Sequence, residues 1–361
     1  MLQITEPFDG AVLNHRNGRQ TKDSLIIRVC GQADESARVS VNGVAASRNG
    51  AEFSADVALR EKETDIVAVA EGPADRRETG VRVVWDRYSR KRYRFSIDDN
   101  SFFLRDITQK QYNSLFDCFY LDILRKLHEK YGAKFALNVF FQTPENDFDL
   151  AQFPDRYKGQ WRDNSDWLTL AFHAYAEFPD RPYLQAEPDK LAADFDRVAE
   201  QIVRFAGEQA YSPPTVIHWA VIRPDALPVL AERGVRVLST GLWWRDKKWD
   251  INYVLDDAQC EYLSTHDALK DFESGIIFSN SDITCNNTPV DQTVPVLQKK
   301  VSDPNTAEII DLFTHEQYFW NFYYKYVPDH AERLDAAIRW ASENGYEPVF
   351  FHEGLLGGKD W

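Results

Sequence analysis

Short runs of alternating apolar and polar residues fill the first quarter of the chain. Residues 24–30, 37–41, 52–59, 65–70 and 81–85 each repeat with a period of two and are separated by turn residues, among them Asn42-Gly43 and Asn49-Gly50. Asn-Gly dipeptides accept the positive φ of two-residue hairpin turns, and no helical period interrupts the runs. The pattern predicts a small all-β domain over residues 1–88, an immunoglobulin-like sandwich.

Past the basic segment Arg87-Tyr88-Ser89-Arg90-Lys91-Arg92 the period changes. Tyr112, Leu115, Phe116, Phe119, Ile123, Leu127 and Tyr131 share one helical face that stops at Gly132, and Leu191, Phe195, Val198, Ile202 and Phe205 share another that stops near Gly207. Strands are expected at 93–100, 134–141, 168–176, 215–222, 235–240, 307–315 and 347–352, with a further helix at 331–344. Strands that are apolar on both faces and alternate with helices predict a parallel α/β barrel over residues 89–361. A doubly wound open sheet is the alternative, but no Gly-rich phosphate loop follows the first strand. Residues 243–303 break the rhythm and read as a strand-rich insertion over one rim.

The formal charge of −15 argues against a nucleic-acid partner, which requires a basic face. No apolar stretch reaches the length of a membrane span. The N-terminus lacks the layout of a signal peptide, so the expected compartment is the cytoplasm, or the exterior if an export segment has been removed. The four cysteines have no short spacing between them and are expected to be free thiols. Aromatic residues make up 14% of the chain, a content that suits a sugar-binding cleft or a large core.

The candidate chemistry lies where polar residues meet predicted strand ends. The first barrel strand closes in Asp98-Asp99, adjacent carboxylates that repel unless one binds a cation or works as a base. A later strand carries His173 and, four residues on, Glu177, the next carries His218-Trp219, and others end in Ser281-Asp282 and Thr314-His315-Glu316. Carboxylates with imidazoles form an ordinary coordination set for zinc and other first-row divalent metals.

At these positions the chain resembles the polysaccharide deacetylase family, whose members remove N- or O-acetyl groups from glycans on a distorted (β/α) barrel. The segments that carry the resemblance are Ser96-Ile97-Asp98-Asp99-Asn100, His173 with Glu177 where the family has a second histidine, and Ile309 to His315 followed by Gly345-Tyr346-Glu347-Pro348-Val349-Phe350. The resemblance spans about residues 90–355 and leaves out the N-terminal domain. It implies Asp98 as catalytic base, His315 as catalytic acid, and Asp99, His173 and Glu177 as ligands of a divalent metal, zinc first and otherwise cobalt, nickel or manganese. His218, Trp219, Asp282 and Trp243 are then expected to contact an acetylated oligo- or polysaccharide. Two other functions compete. One is a glycoside hydrolase pairing Asp98 with Asp282 or Glu316, and the other is a degenerate protein that binds glycan without turnover.

Overall fold

The structure, a computed structural model, describes residues 1–73 and 75–358. The N-terminal alternation produces two facing sheets. One orders Leu2–Glu6, Leu25–Ala33, Glu52–Leu59 and Ser47–Asn49, and the other orders Val12–Leu13, Arg76–Trp85, Glu63–Glu71, Arg38–Val41 and Val44–Ala45. Along Leu25–Ala33 every second residue is buried. Leu25, Ile27 and Val29 from this strand meet Ile66, Ala68 and Val83 of the opposite sheet in one core.

The rest of the described chain is mixed α/β. The strands that pair in parallel are β1 (Arg92–Asn100), β2 (Phe135–Phe140), β3 (Leu168–Ala174), β4 (Val237–Thr240), β5 (Ile277–Asn280), β6 (Ile283–Thr284), β7 (Ile309–His315) and β8 (Glu347–Pro348). Five of them form a parallel sheet in the order β3-β2-β1-β7-β6, with β8 paired to the start of β1. Every residue of β1, β2 and β3 is buried, as a parallel sheet covered by helices requires. The main helices are α1 (Phe102–Lys110), α2 (Phe119–Tyr131), α3 (Pro188–Ala206), α4 (Val290–Lys300) and α5 (His330–Glu343).

The strands do not close into one hydrogen-bonded ring. β4 and β5 pair in parallel in a separate sheet, joined by the antiparallel strand Leu269–Lys270. Between β3 and β4 the strand expected at 215–222 does not form. What remains is one bridge from Leu170 to Tyr211 and a bond from Ser239 N–H to the Thr215 carbonyl. The chain then turns through a short 3-10 segment, His218–Ala220.

Two further differences from the sequence reading bear on the site. Within 243–303, β5 and β6 are members of the parallel sheets, and the hairpin of Trp243–Arg245 with Lys248–Asp250 stands apart from them. The closing strand shortens to Glu347–Pro348. Helix α1 was not visible in the pattern because Phe102, Phe103, Leu104, Asp106 and Ile107 are all buried, leaving little polar face to mark a period.

The two parts of the chain are pinned together by Glu308. Its carboxylate accepts from Arg16 Nε at 2.5 Å and Ser89 Oγ at 2.9 Å. No helix of the described residues is long and apolar enough to cross a membrane.

Candidate functional site

In a regular strand, neighbouring side chains point to opposite faces, so Asp98 and Asp99 could not enter one cavity. Here the register of β1 against β2 slips between Ile97 and Asn100, and Asp99 takes φ 59°. That left-handed residue turns both carboxylates into one cavity of ≈ 430 Å³. Aspartate visits this region more readily than most residues, but such backbone strain still costs about 1–3 kcal/mol. Asn100 secures the bulge, donating from Nδ2 to the Ile97 carbonyl at 2.6 Å and the Asn138 carbonyl at 3.0 Å, and accepting from the Tyr120 hydroxyl at 2.8 Å.

His173, at the end of β3, donates from Nδ1 to the Val216 carbonyl at 2.8 Å. A carbonyl only accepts, so Nδ1 carries a proton and Nε2 is the atom that faces Asp99 Oδ1 at 3.1 Å. His218 turns its Nδ1 to within 3.1 Å of His173 Nε2 and 3.4 Å of Asp99 Oδ1. The next residues, Trp219 and Ala220, adopt φ 66° and 45°, so the kink that places His218 is itself strained. Ligand atoms of Asp99, His173 and His218 all lie within 4.8 Å of one another.

With a neutral His173 this arrangement would set a lone pair against a carboxylate oxygen, so either a proton or a cation belongs between them. In the protein alone the proton fits. Burial pushes His173 down, but Asp98 and Asp99 outweigh it and raise its pKa. Burial likewise pushes Asp99 up, and the hydrogen bonds from His173 and His218 hold it well below the usual carboxylate range. Two imidazoles and one carboxylate fit a divalent metal equally well. His218 presents Nδ1 to this centre, and its Nε2 is buried without a hydrogen-bond partner.

Asp98 lies beside the triad. Its Oδ1 accepts from Asn138 Nδ2 at 2.7 Å and Ser96 Oγ at 3.2 Å, and its Oδ2 is 3.8 Å from His173 Nε2. Burial lifts its pKa to about 6, with His173 pulling down and Asp99 pushing up. His315 pairs in register with Asp98 across β1 and β7, and its Nε2 is 4.0 Å from Asp99 Oδ2. Its Nδ1 is 3.0 Å from Asn286 Oδ1. Phe178, Trp219, Trp243, Tyr318, Tyr323 and Tyr324 wall the cavity.

Three sequence expectations change. Glu177 is not in the ligand group. Its Oε2 accepts from Gln317 Nε2 at 2.8 Å on the cavity wall, and the third member of the group that could hold a metal is His218, expected above as a substrate contact. Burial, then the charge of Asp99, pushes Glu177 up to about 7. Asp282 does not line the cavity. It pairs with Lys300 Nζ at 3.0 Å and accepts from the Asp311 N–H at 2.7 Å. Glu316 is taken up by the start of α1, accepting the N–H groups of Ser101, Phe102 and Phe103.

Trp219 and Trp243 do reach the cavity. Trp219 lies under the Arg181 guanidinium at 5.0 Å, and Arg181 clasps Asp250 with two bonds of 2.7 Å, tying the loop after β3 to the Trp243 hairpin. Asn138 and Asn286 were missed in the sequence. The only signal for Asn138 was a single amide inside the apolar run Phe135–Phe140.

No family model matches the sequence, and no curated protein matches it. Solved structures to which the chain is similar include a peptidoglycan N-acetylglucosamine deacetylase, at 12% identity and TM-score 0.37, covering 73% of this chain and 87% of that one. Another is a CE4 family pseudoenzyme from Bacillus anthracis, at 10% identity and TM-score 0.36, covering 75% of this chain and 67% of that one. A mutant of that pseudoenzyme with restored enzymatic activity matches at 10% identity and TM-score 0.35, covering 81% and 87%. Likeness this distant does not assign a function, and the reading below rests on the geometry of the site.

Proposed function

We propose that the chain is a metal-dependent hydrolase that removes an acetyl group, from nitrogen or oxygen, from a carbohydrate. The observation that carries this reading is the convergence of Asp99, His173 and His218 within 4.8 Å, with Asp98 and His315 beside them in one aromatic-walled cavity. A divalent cation held by the triad would supply polarisation of an acyl oxygen and a more acidic water, chemistry open to zinc, cobalt, nickel or manganese.

The chain's own residues provide the proton transfers. Asp98 is the base, since Asn138 and Ser96 fix its Oδ1 and leave Oδ2 directed at the cluster. His315 is the acid and donates from Nε2 to the departing amine or alkoxide. The aromatic wall stacks on the apolar faces of sugar rings. A glycoside hydrolase that pairs Asp98 with Asp282 or Glu316 finds less support, because the second carboxyl group must face the bond. Asp282 and Glu316 are both committed elsewhere.

The test is acetate release from N-acetylated and O-acetylated oligosaccharides with each of the four metals. Asp98→Asn is expected to lower the rate about 10²- to 10⁴-fold while the metal stays bound. Glycan binding without acetate release under any metal would overturn the reading in favour of a degenerate binding protein.

A further inference from the structure

Behind the catalytic face of His315 lies a buried polar chain that the reaction as described does not use. Asn286 Oδ1 is 3.0 Å from His315 Nδ1 and 3.2 Å from Thr314 Oγ1, and Thr314 Oγ1 is 2.6 Å from His330 Nε2. Asn286, Thr314 and His330 are all buried. The other end of the side-chain amide is held too, since Asn286 Nδ2 donates to Asn287 Oδ1 at 2.9 Å, and the backbone carbonyl of Asn286 accepts from Arg333 Nη1 at 2.9 Å.

Donor and acceptor bookkeeping then fixes the protons. An amide oxygen only accepts, so His315 Nδ1 and Thr314 Oγ1 must both donate to it. The Thr314 hydroxyl, having given its proton to Asn286, accepts from His330 Nε2. His315 is thereby locked with its Nδ1 protonated, and Nε2 is the nitrogen presented to the cavity and to Asp99. The other tautomer would set an unprotonated Nδ1 against the amide oxygen, which would keep only the Thr314 donor, and the lost bond is worth about 0.5–1.5 kcal/mol.

We infer that Asn286 is a positioning residue that reserves Nε2 of His315 for the proton that travels, with Thr314 and His330 holding Asn286 in place. The inference rests on the reading of His315 as the proton donor, and it assigns a neutral amide to the task of orienting that ring. Because Asn286 accepts the Nδ1 proton in both charge states of the imidazole, gain and loss of a proton are confined to Nε2.

The experiment is two-bond ¹H–¹⁵N correlation of the histidine rings in the full-length protein at pH 8. His315 is assigned by its loss in His315→Gln, and acetate release is measured alongside. Wild type is expected to show His315 protonated at Nδ1. Asn286→Leu removes the acceptor and is expected to shift the ring to the Nε2-protonated form, lowering kcat about 10- to 100-fold with KM little changed. Asn286→Asp keeps an acceptor of the same shape and is expected to retain both the Nδ1 signature and turnover, so a general loss of folding is separated from loss of positioning.

An Nε2-protonated His315 in wild type, or a signature unmoved by Asn286→Leu, would overturn the inference. The expected signatures together with no acetate release from wild type would uphold the positioning role and sink the hydrolase reading instead.

Discussion

Helix α1 begins three residues after Asp99, and its free N–H groups are met from a distant part of the chain. Ser101, at the N-cap, makes no side-chain cap bond. Glu316 takes its place, accepting from the N–H groups of Ser101 at 2.7 Å and Phe102 at 3.0 Å on Oε2, and of Phe103 at 2.6 Å on Oε1. Trp320 Nε1 adds a fourth donor at 2.9 Å. Glu316→Gln keeps one oxygen and turns an amide NH₂ toward two of these donors. Leaving two buried N–H groups unmet costs about 1–3 kcal/mol each, so a loss of about 2–6 kcal/mol is expected. Burial pushes the Glu316 carboxyl up to about 7 against its three backbone donors, so the comparison belongs at pH 8, where the carboxylate predominates. Urea unfolding of wild type and variant reads the difference as a shift of midpoint at constant slope. Substitution with stability changed by less than about 0.5 kcal/mol and turnover abolished would refute this reasoning and return Glu316 to the list of catalytic carboxyl groups.

Three further outcomes are expected. Burial, with Arg333 adding to it, drives His330 down to about 3, so the folded protein excludes a proton that the unfolded chain binds below about 6.5. The stability from this neutral ring is fully present above about pH 6.5 and is lost as pH falls toward 3, by up to about 1.4 kcal/mol per unit. His330→Gln should flatten the acid limb of a melting-temperature profile, and an unchanged slope would contradict the assignment. The Arg181–Asp250 clasp is expected to show about 1 kcal/mol of coupling in a double-mutant cycle, and Arg181→Ala to raise KM several-fold with kcat little altered, since it loosens a wall rather than the triad. Equal falls in kcat and kcat/KM would place the clasp in the chemistry instead. Glu177→Gln, which keeps an acceptor for Gln317, should leave metal affinity within about threefold, whereas an outer partner that orients a ligand would cost about 10- to 100-fold.

Hydrophobic period alone marked the all-β start and most of the strands that follow, because burial on both faces of β1 to β3 leaves an unbroken apolar run. Asp98, Asp99, His173 and His315 were legible because charged or imidazole side chains at the ends of such runs have few other uses. The third member of the group that could hold a metal was not. The family resemblance put Glu177 beside His173, while His218 arrives from a segment that forms no strand and whose left-handed turn at Trp219 follows no local signal. The commitments of Glu316 and Asp282 were hidden for a related reason. Each depends on a partner, the start of α1 for one and Lys300 for the other, that only the packed fold brings near.

The proposed hydrolase requires that Asp99, His173 and His218 hold a divalent metal. Elemental analysis of wild type, Asp99→Ala, His218→Ala and Glu177→Ala, purified side by side without chelator, tests it most directly. The account predicts about one metal per chain in wild type and in Glu177→Ala, and loss of metal in the other two. No metal in wild type after incubation with zinc, cobalt, nickel or manganese, or metal lost from Glu177→Ala and kept by His218→Ala, would contradict it.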